Sequence, residues 1–170
     1  MYYFLSLYGL GAIAFIIHLF KLPSHQWTKD RIIELLLLYE LVFYVGVTSL
    51  VAFIGLTFMD DVAAQLLQWP MCPFQQELGN VNLAFGVLGI MCIWFRRSFW
   101  IATVVGFSIW IFGDAIHHFY DAYARHNYSE GNLGILVYTD LLVPILLCIT
   151  LYFYVKSKRK ELDLEQAGKI

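Results

Sequence analysis

Charged residues are scarce in this sequence, and this scarcity excludes several classes of protein. Only 14% of the 170 residues are charged, whereas 60% are hydrophobic and 18% aromatic; soluble domains carry about 25% charged and about 45–50% apolar residues. The formal net charge is −2, so no basic surface is available and we predict no nucleic-acid partner. The composition predicts an integral membrane protein whose main surroundings are the lipid bilayer.

Cysteine is also too sparse to build a framework. The three cysteines form no CxxC pair, which argues against a disulfide scaffold. Cys92 and Cys148 lie in apolar runs and are predicted to be packing residues. The first 20 residues lack a basic n-region and an AxA-like cleavage site, so we expect this apolar run to remain as a helix.

Long apolar runs are abundant. A helix needs about 18 or more such residues to cross about 30 Å of hydrocarbon. Five segments are candidates, namely residues 3–20, 32–59, 80–95, 98–118 and 135–155, although the third is long enough only if its helix begins near Phe74 or Glu77. We therefore predict an all-α, polytopic transmembrane helix bundle with five spans. Residues 1–155 form one domain, and residues 156–170 form a basic and then polar tail.

Lysine and arginine in the short loops predict the orientation. They lie at residues 21–31, at Arg96 and Arg97, and in "KSKRK" at 156–160. In a chain with five spans these three places share one side, which we predict to be cytoplasmic. The N-terminus is then outside and the C-terminus cytoplasmic, and we expect a multi-pass protein of a bacterial inner membrane.

The stretch "IFGDAIHHFYDAYARHNY", residues 111–128, places ionisable groups where the fourth apolar run ends. At about 100° per residue, Asp114, His117, His118 and Asp121 fall within an arc of about 100° on one helix face. An ionised aspartate facing lipid costs about 2.5–3.5 kcal/mol on insertion scales. We therefore expect this face to point to the bundle interior or to a wet cavity.

Other helix ends carry polar residues to the same outer level. Glu77 and Asn82 lie at the start of the third span, and Tyr138 and Asp140 lie in the outer half of the fifth. Pro144 has no N–H to donate to the carbonyl of Asp140. The sequence thus predicts a polar site near the outer face, built from several helices.

Three segments resemble one known family. They are "WPMCPFQQELGNVNLAFGVLG", "RRSFWIATVVGFSIWIFGDAIHH" and "NLGILVYTDLLVP", and they resemble the DUF6790 family of small polytopic membrane proteins over about residues 60–155. The matching positions include Trp69, Glu77, Asp114, His118 and Asp140. The family usually has "GDAIGH" where this chain has "GDAIHH", which favours His118 over His117 as the site histidine. The resemblance implies no activity.

Three interpretations of the polar site remain open. The first is a divalent metal site for Zn, Fe or Mn, with Glu77, Asp114, His118 and Asp140 as ligands. In the second, the same groups only hydrogen-bond to one another and tie the helices together. In the third, they form a proton or small-solute pathway. The supporting polar residues predicted around the site are Asn82, Tyr138, Asp121 and His117.

Glu40 is a second candidate, on the cytoplasmic side. It lies about 13 Å beyond Arg31 along a helix, which places it inside the bilayer. Its carboxyl is expected to be neutral or paired, with His18 as the nearest partner by depth. A proton relay is one interpretation, and a protonated carboxyl bonded to a backbone carbonyl is the other.

These residues leave the function open between classes. One hypothesis is a metal-dependent membrane enzyme that acts on a lipid-like or quinone-like substrate, with the amphipathic segment "VAAQLLQWPMCPF" as an interfacial lid. Another is a non-catalytic subunit or assembly partner of a larger membrane complex, and we expect either a homo-oligomer or such a subunit. The sequence alone does not decide whether the protein is an enzyme.

Overall fold

The chain folds as a bundle of helices joined by short loops, so the all-α prediction is confirmed. The computed structural model describes residues 3–166 and 168. A π-helical segment, Glu40–Val47, joins α2 to α3 without a break, and a 3-10 turn, Ser24–Gln26, follows α1. The α-helices of the described residues are α1 (Tyr3–Lys21), α2 (Lys29–Tyr39), α3 (Thr48–Phe58), α4 (Asp60–Leu67), α5 (Phe74–Met91), α6 (Ser98–Arg125), α7 (Glu130–Leu133) and α8 (Ile135–Gln166).

Four helical stretches of the described chain, not five, are long and apolar enough to cross a membrane. They are Phe4–Lys21, Lys29–Phe58, Ser98–Arg125 and Glu130–Leu164. The predicted number of spans is therefore wrong. The physical reason lies in α5, which contains most of the predicted third span but carries polar residues in its first half: Gln75, Gln76, Glu77, Asn80 and Asn82.

Helix α5 nevertheless packs with one face against α3 and the π-helical segment, to which it runs antiparallel. Three of its glycines face the continuous helical stretch Lys29–Phe58, which we call the rod. Positions 79, 86 and 89 of α5 lie against successively earlier residues of the rod, namely Thr57, Leu50 and Gly46. A Cβ added to Gly89 would overlap the backbone of Gly46. Small residues at this seam therefore let two helix backbones touch, as is common in membrane bundles.

One half of the bundle contains a closely packed apolar core, which we call the dry core. Trp100 is fully buried in it; its indole Nε1–H donates to the carbonyl oxygen of Cys92 at 2.9 Å, and its ring centroid lies 5.1 Å from that of Tyr154. The buried side chains of this cluster are Leu37, Leu41, Val45, Cys92, Trp100, Val104, Phe107, Val143, Leu147, Leu151 and Tyr154.

Beyond the dry core, one carboxylate gathers three cations at what we call the basic end. Glu34 lies 3.5 Å from Arg31, 3.0 Å from Arg96 and 3.6 Å from Lys158. These cations come from the three basic segments that were predicted to share one side, so the segments do meet at one end of the bundle. The side of the membrane on which this end lies, and an outside N-terminus, stay predictions.

The tail predicted at residues 156–170 begins as a continuation of α8, which is helical as far as Gln166. Residues 167, 169 and 170 of that tail lie outside the described residues. Helix α6 likewise continues past the predicted end of its span at 118 and reaches Arg125. The helices therefore extend beyond the apolar runs that identify them, because polar helical turns outside the hydrocarbon remain stable.

Candidate binding site

At the end of the bundle opposite the basic end, which we call the polar end, α6 and α8 bring three predicted site residues to one cavity. Asp114 and His118 of α6 and Asp140 of α8 line a space of about 210 Å³, which we call the central cavity. Tyr8 of α1 and Tyr44 of the π-helical segment also line it, with ring centroids 4.9 Å apart. The remaining walls are mostly aliphatic and aromatic.

The protonation of His118 can be read from its neighbour Asn132. The side-chain amide of Asn132 donates to the carbonyl oxygens of His118 (3.0 Å) and Asn127 (2.8 Å), so both of its N–H groups are used. Its Oδ1 lies 2.8 Å from His118 Nδ1 and must therefore accept, which places a hydrogen on Nδ1. In the neutral ring, Nε2 is then the acceptor. This nitrogen lies 3.9 Å from Asp140 Oδ2.

A lid made of α4 and residues 68–73 covers His118. Gln68 ends α4 with a left-handed φ of 53° and turns the chain back over the site. The indole of Trp69 then stacks on the imidazole of His118, with ring centroids 5.3 Å apart and planes at 26°. Asn127 donates to the carbonyl of Leu67 at 3.2 Å, which satisfies an orphan carbonyl at the helix end. The lid is therefore tied to α6 and α7 by specific contacts.

Asp121 supports this lid rather than the cavity. It is 1% exposed and lines neither of the two cavities described here. Its carboxylate accepts hydrogen bonds from Trp69 Nε1 (2.9 Å), Asn127 Nδ2 (2.8 Å) and Arg125 Nη1 (3.0 Å). The charge of Asp121 is thus balanced by an ion pair and two N–H donors, and its role is to hold the lid on α6.

Glu77, one of the four predicted metal ligands, faces a different space. It is exposed and lines a second cavity of about 420 Å³, together with His117. Asp114 and His118 border both cavities, whereas Asp140 borders only the central one. His117 is exposed and its ring centroid lies 5.3 Å from that of Trp69. Glu77 and Asp140 therefore line different cavities, and Asp114 and His118 border both of them.

Of the two remaining supporting residues, Asn82 lines the central cavity and Tyr138 does not. Asn82 is 6% exposed, lines the central cavity and donates to the carbonyl oxygen of Leu78 at 3.1 Å. Tyr138 is 58% exposed and lines neither cavity. The helical turn of α8 that presents Asp140 to the interior directs Tyr138 outward, because residues two apart lie on different helix faces.

The predicted divalent metal site is not assembled by these placements. Within residues 3–166 and 168, no three His, Cys, Asp or Glu side chains come close enough to hold one metal ion. Metal ligands must lie about 2.0–2.3 Å from the ion. Asp114, His118 and Asp140 share a cavity without such convergence, so the ligand geometry gives the Zn, Fe or Mn hypothesis no support.

Glu40 is buried as expected, but its predicted partner is wrong. His18 Nδ1 lies 3.0 Å from the hydroxyl of Tyr39 and not beside Glu40. Glu40 instead accepts a hydrogen bond from Thr150 Oγ1 of α8 at 3.2 Å. Depth along the helix placed His18 near Glu40, but depth does not determine which face of α1 meets α2.

Sequence reasoning missed several residues of the site. Trp69 was noted only as a family match and Asn132 was not singled out as a site residue, yet both residues contact the His118 ring. Tyr8 and Tyr44 were not singled out, although both line the central cavity. A tyrosine inside an apolar run is common, so composition alone gave no signal for either.

The fold and the site together define a helical bundle that has, among the described residues, four helices long and apolar enough to cross a membrane and a polar cavity between its helices. The sequence matches a family described as "Family of unknown function (DUF6790)" over residues 1–160, and the chain belongs to this family. The match includes α1, which the resemblance noted from sequence had left out. No curated protein and no solved structure matches the chain.

Proposed function

We propose that the protein is a membrane pathway for a small solute, and that this solute is an organic cation such as a protonated amine. The observation that carries the proposal is the pair of carboxylates, Asp114 and Asp140, that face one cavity from two different helices. Of the three interpretations of the polar site, we therefore favour the third, a proton or small-solute pathway.

The charges of the central cavity support a cationic occupant. No lysine or arginine among the described residues forms an ion pair with Asp114 or Asp140. Two carboxylates that no lysine or arginine neutralises are costly in an apolar setting. Either a bound cation or a bound proton would neutralise a carboxylate of the cavity. Because one can replace the other, the site could exchange a solute cation for a proton.

The size and the walls of the cavity narrow the solute further. An engineered cavity of about 150 Å³ accommodates benzene, so about 210 Å³ accommodates a molecule of roughly ring size with a short substituent. Tyr8, Tyr44 and Trp110 offer aromatic faces to the cavity, and such faces attract cations. Two carboxylates on one cavity suit an ammonium group, which carries one positive charge and donates hydrogen bonds to oxygen.

His118 provides a way to release the solute. Its Nε2 is an acceptor in the neutral ring, 3.9 Å from Asp140. If Nε2 takes up a proton, the imidazolium pairs with Asp140 and competes with the bound ammonium group for the same carboxylate. The proton added to His118 thus replaces the charge of the departing solute.

The two other hypotheses have less support. A metal-dependent enzyme acting on a lipid-like or quinone-like substrate lacks a converging ligand set among the described residues. A subunit of a larger membrane complex, or a homo-oligomer, would use the outward face of α1, where Leu10, Ile13 and Phe20 are exposed. Lipid would cover that face equally well, so we place the pathway first.

Binding of benzylammonium to the protein in lipid nanodiscs, measured by isothermal titration calorimetry, tests the proposal. Benzyl alcohol is the neutral probe of similar shape. Asp114→Asn and Asp140→Asn should each weaken benzylammonium binding by about tenfold or more, because a hydrogen bond to a charged group contributes about 1.5–3 kcal/mol. Both variants should leave the weaker binding of benzyl alcohol unchanged.

The matched control is Asp61→Asn, because Asp61 is exposed on α4 and lines neither cavity. It should bind benzylammonium like the unmodified protein. Equal affinity for the charged and the neutral probe, or unchanged affinity in both cavity variants, would contradict the proposal.

A further inference from the structure

Glu40 has an oxygen that no other group satisfies. The residue is 5% exposed, and its Oε1 accepts the hydrogen bond from Thr150 Oγ1. Its Oε2 is fully buried and has no hydrogen-bond partner among the residues that the structure describes. The backbone-carbonyl bond expected for a purely structural glutamic acid is therefore not made.

An unsatisfied carboxylate oxygen of this kind is rare because it is costly. Nearly all buried polar groups in folded proteins have a partner, and a charge within the hydrocarbon costs several kcal/mol unless it is paired. Such a group is retained when a mobile species, such as a proton or a ligand, binds to it and satisfies its hydrogen-bonding capacity. For a single carboxyl oxygen surrounded by apolar side chains, the simplest completing group is a proton.

The backbone around Glu40 is unusual as well. Glu40 is the first residue of the eight-residue π-helical segment, Glu40–Val47. A π-helix is rare and occurs frequently at functional sites. The contact of Gly46 with Gly89 holds this segment against α5. The local conformation that presents Glu40 to α8 is therefore imposed by tertiary packing.

Glu40 lies between the basic end and the polar end of the bundle. Towards the basic end, Glu34 lies six residues earlier, about 9 Å along the helix. Towards the polar end, Tyr44 follows one turn later and lines the central cavity. The side chains between these levels belong to the dry core, including Leu37, Leu41 and Leu147.

Few charged or titratable groups surround Glu40. Tyr44 interacts with it electrostatically on the same segment, and Tyr8 of α1 packs against the Tyr44 ring. Helix α8 faces it with Thr150, which does not titrate. No lysine, arginine or histidine in the described part of the chain forms an ion pair with it.

We propose that Glu40 is a proton-binding site, separated from the central cavity by Tyr44, and that it exchanges its proton with that cavity. The step is a proton transfer only: the Glu40 carboxylate takes up a proton from the cavity side and returns it to the same side. The site itself follows from the geometry of Glu40. The destination of the proton rests on the proposed solute exchange.

Difference infrared spectroscopy on the protein in liposomes tests the site directly. A pH step should change a carboxylic-acid C=O band that is absent in Glu40→Gln. In Thr150→Val the band should persist at a higher wavenumber, because the hydrogen bond to the carboxyl is lost. Glu161→Gln is the matched control, since Glu161 is exposed at the end of the tail, and it should keep the band unchanged.

Proton flux separates this inference from the proposed function. In Glu40→Gln, benzylammonium binding should stay the same, while benzylammonium uptake driven by a pH gradient should fall to that of protein-free liposomes. Unmodified protein that gives the Glu40 band but binds no benzylammonium would defeat the proposed function and leave the proton site standing. The same bands and the same uptake in Glu40→Gln and unmodified protein would overturn the inference.

Discussion

The dry core and the central cavity occupy neighbouring parts of one bundle and differ in the pairing of some of their polar groups. In the dry core, the Trp100 N–H donates to Cys92, and the hydroxyl of Thr103 donates to the carbonyl of Phe99 at 2.9 Å. At the central cavity, Asp114 makes no hydrogen bond or ion pair with any of the described residues. Paired polar groups keep helices together, whereas unpaired groups are available for a ligand.

Glu40 is the exception that connects the two regions. It lies beside the dry core, yet one of its oxygens has no hydrogen-bond partner among the described residues, as is the case for the Asp114 carboxylate. A protein maintains such a group at a cost to stability. We therefore base both proposals on these two carboxyl groups.

Replacing Trp100 with alanine should produce the largest effect. The change removes a fully buried ring, its hydrogen bond to Cys92 and its contact with Tyr154, and losses for such substitutions are about 3–5 kcal/mol. The free energy of unfolding in a fixed detergent is the measurement. Trp110→Ala is the comparison, because Trp110 lines the central cavity and is only partly buried. A larger loss for Trp110 would reverse the assignment of the dry core.

Asp121 and Asp114 sharpen the same comparison within one helix. Asp121→Ala should destabilise the protein by about 1–3 kcal/mol, because it removes the acceptor of the partly buried Trp69 N–H and one of the two acceptors of the Asn127 amide. Asp114→Asn should leave stability unchanged or raise it, because it removes an unpaired charge. Thermal unfolding of both variants under one set of conditions tests this. Equal destabilisation would mean that Asp114 is structural too.

The apolar runs predicted where helices lie better than they predicted how many spans there are. The span predicted at 3–20 corresponds to α1 (Tyr3–Lys21), and the span at 32–59 corresponds to the rod Lys29–Phe58. The π-helical segment inside that rod could not be predicted, since it depends on packing against α5 and not on local sequence. The count failed at α5, because the polar residues in its first half make this helix less apolar than the four candidate spans of the described chain.

The candidate site was partly readable for a similar reason. Helical spacing and the cost of facing lipid placed Asp114 and His118 on an inward face, and similar depth added Asp140. The lid could not be derived, because Trp69 reaches His118 from a loop whose path depends on tertiary contacts. Glu77 was misplaced relative to Asp140 since depth gives height in the bundle but not the direction in which a side chain points.

Single cysteine substitutions should have the smallest effect on stability, and their labelling compares the two regions most directly. In a variant with Cys72, Cys92 and Cys148 replaced, a single cysteine is introduced either as Ser49→Cys or as Val104→Cys. Ser49 is 3% exposed and lines the central cavity, whereas Val104 is 0% exposed and belongs to the dry core. Both substitutions change the side-chain volume little, so neither should alter the free energy of unfolding by more than about 1.5 kcal/mol.

Because the two side chains are almost equally buried, only access to the cavity distinguishes them. Ser49→Cys should react with a positively charged methanethiosulfonate, and more slowly with a negatively charged one, since Asp114 and Asp140 face the same space. Val104→Cys should react with neither, because a thiol reacts as the thiolate and the dry core excludes water. Mass spectrometry of the labelled protein measures both rates. Similar labelling of the two cysteines would show that the dry core is open to solvent, and a faster reaction with the anionic reagent would contradict a cation-selective cavity.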